Sequence, residues 1–251
     1  MKQLLVTADD FGLSPGVVTG IIDAHENGIV TATSLMVNAP AADAAFQWAR
    51  KHDTLAVGLH FVLTFGRPVG PAWPLAALID SDGAFRRLES GAHNEATPGQ
   101  VGAELRAQLE RFEANVGRPP THVDGHHHVH ALPGILSAVI EAAQRHRLPV
   151  RSPDDRTHAR LRSIGVPTTD NFIDTFYGSD QVDEDQLIAI LDGLSDGTHE
   201  LMCHPAHEDR ALSTLSSYTD ARYAECRTLT SASVQQALAD RDIELIATAS
   251  P

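Results

Sequence analysis

Short apolar runs alternate along this chain with longer stretches whose apolar positions recur at helical spacing. The first run, QLLVTA at residues 3–8, stops at the acidic pair Asp9 and Asp10. SPGVVTGIIDAHENG then carries helix signals at both ends: Ser14 as N-cap, Pro15 at the first helical position and Gly28 as the stop. Residues 31–37 predict a second strand, APAADAAFQWARKH an Ala-rich helix and residues 55–61 a third strand. A Pro/Gly-rich excursion over about residues 64–99 breaks the rhythm, and connections of that length are commonly lids or binding loops. The pattern then predicts a helix over about residues 100–116, an extended THVDGH, a helix over 132–146 and a short strand at LPVRS. DEDQLIAILDGL reads as a helix, HELMCH as a strand, SASVQQALAD as a helix and IELIATA as a closing strand, while residues 154–177 show no clear period.

Strands separated by helices of this length imply parallel βαβ units. About seven or eight such repeats suit an irregular TIM-like (β/α) barrel of mostly parallel strands. We expect a single domain over residues 1–251. An open, doubly wound, nucleotide-binding sheet is disfavoured, because no glycine-rich phosphate loop follows the first strand.

Composition narrows the function. Hydrophobic residues make up 42% and charged residues 21%, the balance of a globular protein with a real core. A net charge of −14 without any basic stripe argues against a nucleic-acid partner. No run approaches the roughly 20 apolar residues needed to span a bilayer, so no membrane partner is expected. The start, MKQLLVTADD, meets two aspartates too soon for a secretory signal, and a cytoplasmic location is expected. Cys203 and Cys226 read as free thiols, and no G-x-S-x-G nucleophile elbow occurs.

Candidate chemistry collects at the predicted C-terminal ends of strands, where β/α barrels build their active sites. Asp9, Asp10, His60, the 124–130 cluster, Arg151 and His204 all fall there. THVDGHHHVH holds five of the chain's fourteen histidines. In an extended segment Asp124, His126, His128 and His130 would share one face. Histidine is the commonest transition-metal ligand, and three ligands plus water make an open, catalytic type of site. His60, one of His126 or His128, and a carboxylate would satisfy that count. Two adjacent buried carboxylates invite a divalent cation and a division of labour, one ligating and the other acting as general base. His204 offers a general acid toward a leaving amine, and Arg151 a partner that holds the base ionised. Trp73 and Tyr177 are candidates to stack on a sugar ring. His25, His52, His93, His146, His158, His199 and His207 fall outside this constellation.

The stretches TADDFGLSPGVVTGIIDAHENGIVTATSLMVN, VGLHFVLTFGRP, PTHVDGHHHVH and LMCHPA…TSAS, in this order, closely resemble the YdjC-like carbohydrate deacetylase family, above all its chitooligosaccharide deacetylase branch. The resemblance covers nearly the whole chain and is weakest after Arg67 and over residues 154–169. It implies an irregular TIM-like barrel, one divalent metal with Mg2+ favoured over Zn2+ or another transition metal, and removal of the N-acetyl group from N-acetylglucosamine-containing oligosaccharides. It implies Asp10, His60 and His126 as metal ligands. A more distant similarity to NodB-like polysaccharide deacetylases implies Asp9 as base, Arg151 against that base and His204 as acid. Asp124 and His128 are then expected to orient the metal ligands or touch substrate, with His127 and His130 unplaced. A homodimer is the expected assembly.

Overall fold

Strand β1 (Lys2–Phe11) is the axis of the sheet, and its burial on both faces is what a near-continuous apolar run in a parallel sheet produces. In the computed structural model, which describes residues 1–249, β1 has three parallel partners. After α1 (Pro15–Glu26), strand β2 (Ala32–Leu35) pairs with the far half of β1. After α2 (Ala42–Lys51), strand β3 (Ala56–Phe61) extends the sheet, and β4 (Val123–Gly125) follows the long α3 (Pro98–Val116). Then come α4 (Pro133–His146), α5 (Asp155–Ser163), β5 (Asn171–Ile173), α6 (Glu184–Asp192) and β6 (Gly197–Cys203), the last lying along β1 from Lys2 to Ala8. The chain finishes through α7 (Leu212–Leu215), α8 (Asp220–Leu229), α9 (Ala232–Asp240) and β7 (Ile243–Ile246), which pairs with the start of β1.

Among the described residues the sheet has seven strands in the order β4-β3-β2-β1-β6-β5, with β7 joining β1, and every strand pairing is parallel. It curls as the expected irregular TIM-like barrel would, but it does not close. Beyond β4 only the single bridge Val123–Val150 continues the ladder, and the Val150 N–H then donates to the Pro167 carbonyl at 2.9 Å. Pro149, Pro153 and Pro167 each lack a backbone donor, so this arc cannot sustain a ladder. LPVRS is therefore a bridge and not a strand.

Ser14 caps α1, its hydroxyl accepting from Val17 N at 3.3 Å. The 64–99 excursion is packed: Leu75, Leu78 and Phe85 are buried, and the buried His93 donates from Nε2 to the Leu63 carbonyl at 2.8 Å. The extended reading of the histidine tract stops early. β4 ends at Gly125, and His127 and His128 take left-handed conformations with φ of 57° and 54°. Side-chain alternation therefore fails beyond that point.

Candidate active site

A β-bulge builds the centre of the site. The register between β1 and β2 shifts between Ala8 and Phe11, and Asp10 has φ of 68°, a conformation that aspartate tolerates better than most residues. Regular strand geometry would send neighbouring side chains to opposite faces. The bulge instead lets Asp9 and Asp10 line one cleft of about 740 Å³ at the C-terminal end of the sheet.

On one side of the cleft, Asp10 meets two imidazoles. His60 Nδ1 lies 2.7 Å from Asp124 Oδ1, so it carries a proton and turns Nε2 toward Asp10, where a bound cation would displace the second ring proton. That Nε2 is 3.4 Å, and His126 Nδ1 2.9 Å, from Asp10 Oδ1. Asp10 Oδ1 is buried and makes no hydrogen bond, while Oδ2 accepts from Arg222 Nη2 at 2.6 Å. Burial opposes ionisation of Asp10, yet His126 and Arg222 hold its carboxyl well below the usual range. Burial also disfavours a charged His60, but Asp124 and Asp9 outweigh it and push His60 up to about 10. The three ligand atoms of Asp10, His60 and His126 lie within 4.8 Å of one another. Convergent donors around an orphaned buried oxygen fit a divalent cation.

Across the cleft, Asp9 is clamped. Arg151 Nη1 and Nη2 donate to its two oxygens at 2.6 and 2.8 Å. The same guanidinium reaches Asp124 Oδ2 at 2.9 Å and Glu200 Oε1 at 2.9 Å. Ser34 Oγ donates to Asp124 Oδ2 at 2.7 Å. Burial alone would raise Asp9, and Arg151 reverses that, so the carboxyl stays ionised.

The third wall follows β6. His204 donates its backbone N–H to Glu225, and burial together with Arg222 pushes its imidazole down to about 3. Burial pushes Glu225 up to about 7, and Tyr218 Oη donates to its Oε1 at 2.5 Å. Tyr177 stacks on Tyr218 with ring centroids 4.3 Å apart.

The structure thus brings Asp9, Asp10, His60, His126, His128, Tyr177 and His204 to one cleft. Asp124 and Arg151 stand behind it. Asp124 has no exposed surface and is spent on His60, Arg151 and Ser34. Trp73 is not brought to the cleft: it is 82% exposed and absent from the lining. His130 Nε2 donates to the Arg151 carbonyl at 3.1 Å, and His127 Nδ1 meets Thr64 Oγ1 at 3.0 Å, which gives both of these unplaced histidines partners. Sequence reasoning missed Arg222, Tyr218 and Glu225, together with Ser34 and Glu200. A signal existed for two of them. Arg222, Glu225, Cys226 and Leu229 fall at i, i+3, i+4 and i+7, so two charges sit on the face that also carries Cys and Leu, and all four are buried.

A curled parallel β/α sheet with carboxylates and imidazoles gathered at its strand ends defines a protein with a built active-site cleft. The chain belongs to the YdjC-like protein family, whose sequence model matches residues 3–240. A carbohydrate deacetylase of Geobacillus stearothermophilus is 43% identical over 246 residues, covering 98% of this chain and 96% of that one. A chitooligosaccharide deacetylase of Serratia marcescens is 39% identical over 251 residues, covering 96% and 95%. Among solved structures, an Enterococcus faecalis V583 protein with a suggested role in cellobiose-phosphate cleavage superposes with a TM-score of 0.90 at 34% identity, covering 98% and 97% of the two chains.

Proposed function

We propose that this protein is a metal-dependent hydrolase that removes the N-acetyl group from N-acetylglucosamine-containing oligosaccharides and releases acetate. The observation that carries the reading is the orphaned Asp10 Oδ1 facing His60 Nε2 and His126 Nδ1, beside an Asp9 held ionised by Arg151. The deacetylases among its relatives support the reaction class.

Asp10, His60 and His126 would hold the ion, which when bound supplies carbonyl polarisation and acidification of a water. Two imidazoles and one carboxylate suit a transition metal such as Zn2+, Mn2+ or Co2+ better than Mg2+, which prefers oxygen donors. Arg151 donates once to each Asp9 oxygen, and Asp9 lines the cleft. Asp9 accepts a proton from the water that attacks the acetamide carbonyl. His204 is neutral in the free protein, so it first takes up a proton, the one Asp9 has removed from the water, once negative charge on the substrate offsets Arg222. It then passes that proton to the departing sugar nitrogen. Tyr177, backed by Tyr218, offers an aromatic surface to a pyranose ring, and His128 contacts the substrate from the histidine turn.

The test is acetate release from mono- and di-N-acetylchitobiose, with and without a 6-phosphate, by chelator-treated protein resupplied with single divalent ions. Acetate and a new amine are expected in equal amounts. Phosphate or free sugar released without acetate would overturn the reading in favour of another metal hydrolase. No product with any ion would favour a sugar-binding protein.

A further inference from the structure

A second group of ligand-type side chains lies outside the cleft, where α1 packs against α8 and the segment that follows β6. Asp23 comes from α1, Cys226 from α8 and His207 from that segment, and one donor atom from each lies within 4.8 Å of the others. The approach is close because α1 has glycine where the segment crosses it. A Cβ on Gly20 would stand 2.4 Å from Ala206 Cα, and one on Gly16 2.4 Å from the His207 carbonyl oxygen.

Hydrogen bonding around His207 sets its tautomer. The Thr19 hydroxyl donates to the Gly16 carbonyl at 3.2 Å, so toward His207 Nδ1, 3.1 Å away, its oxygen is the acceptor. Nδ1 therefore carries a hydrogen. Nε2 lies 2.9 Å from Asp23 Oδ2, and the other Asp23 oxygen is held by Asn27 Nδ2 at 2.7 Å. A ring lone pair facing a carboxylate oxygen needs positive charge between them, either a second ring proton or a metal ion. The thiol of Cys226, which donates to the Gly20 carbonyl at 3.7 Å, tips the balance: a ring proton gains nothing from that sulfur, whereas a soft cation gains a third ligand.

We propose that Asp23, His207 and Cys226 form a second cation site, selective for a thiophilic divalent ion such as Zn2+. Cys226 loses its thiol proton to solvent as the sulfur–metal bond forms. Burial pushes that thiol up to about 12, so it stays protonated until an ion competes for it. The side chains of His207 and Asp23 are 46% and 35% exposed, which leaves an access route and an open position for water. Thr19 and Asn27 orient the ligands from behind. The site also touches the cleft indirectly. His207 lies three residues beyond His204, and Cys226 follows Glu225, whose carboxylate accepts the His204 N–H. An ion bound here pins α1, α8 and the His204 segment together.

The experiment titrates the chelator-treated full chain with Co2+ and follows the near-ultraviolet thiolate-to-cobalt charge-transfer band. The Asp10–His60–His126 group contains no sulfur, so this band reports the second site whether or not the protein deacetylates sugars. A band that saturates by two equivalents of added Co2+, as both sites fill, is expected. It is expected to vanish in Cys226→Ser and in His207→Gln, a substitution at a half-exposed side chain that leaves Cys226 in place, and to persist in Cys203→Ser. Absence of the band in the wild-type chain, or its persistence in both variants, would overturn the site.

Discussion

Asp9 and Asp10 are neighbours in the chain, equally buried, and each faces an arginine, yet the two sides of the cleft use them differently. On the Asp9 side Arg151 takes both carboxylate oxygens and ties in Asp124 and Glu200 as well. On the Asp10 side Arg222 takes one oxygen only, and the other is left among imidazoles without a hydrogen bond. A carboxylate with both oxygens in salt bridges is fixed and ionised but a poor metal ligand. A carboxylate with one oxygen spare is a ready ligand. The difference teaches that what matters is which oxygen the arginine leaves: on the proposed reading it makes Asp10 the ligand and Asp9 the base.

Substitutions at the two positions should separate these roles. Asp10→Asn is expected to abolish both ion binding and acetate release. Asp9→Asn is expected to keep ion affinity within a few-fold while kcat falls by about 10²–10⁴. Calorimetric ion titration beside an acetate assay reads both, and near-wild-type kcat in Asp9→Asn with the ion bound would refute the base assignment. Arg151→Leu tests the clamp. It strands three buried carboxylates and is expected to lower stability in urea by about 3–5 kcal/mol. A loss under about 1 kcal/mol would show that Arg151 is not their counter-charge.

Glu225 gives a smaller, pH-dependent effect. Its pKa in the folded chain is raised from 4.5 to about 7, so the protonated carboxyl is the form the fold favours. That contribution is complete below the ordinary value and is lost as pH rises through about 7. Between pH 5 and 8 the wild type is expected to lose up to about 3 kcal/mol from this group, and Glu225→Gln to show a correspondingly flatter profile. Equal slopes in the two proteins would contradict the assignment. The smallest effect is expected at the rim. Tyr177→Ala should raise KM by about 2- to 10-fold through lost stacking. Trp73→Ala should change neither KM nor stability beyond about 0.5 kcal/mol, and a KM effect as large as that of Tyr177→Ala would return Trp73 to the substrate.

Much of this site was legible before the fold was known, for a physical reason. Strand C-termini are where parallel β/α architecture gathers side chains, so Asp10, His60 and His204 could be grouped from the alternation of apolar runs alone. The resemblance chose His126 over His128. The bulge at Asp9 and Asp10 was not legible, because no residue type in TADDF demands an extra residue in the ladder. The left-handed turn at His127 and His128 was equally hidden, since five histidines carry no turn signal of their own. Closure failed where prolines strip donors from the 149–167 arc, and those prolines were visible. Arg222 and Glu225 were hidden because charged residues on the apolar face of the 220–229 segment look like solvated surface until the buried partner is known. Trp73 was picked for its residue type alone, and residue type does not fix direction.

The most direct measurement is an anomalous-scattering map from crystals of this protein soaked with Mn2+ or Co2+. A peak is expected roughly 2.0–2.2 Å from Asp10 Oδ1, His60 Nε2 and His126 Nδ1 together. A saturated crystal with no peak among those three atoms would contradict the claim that they share an ion.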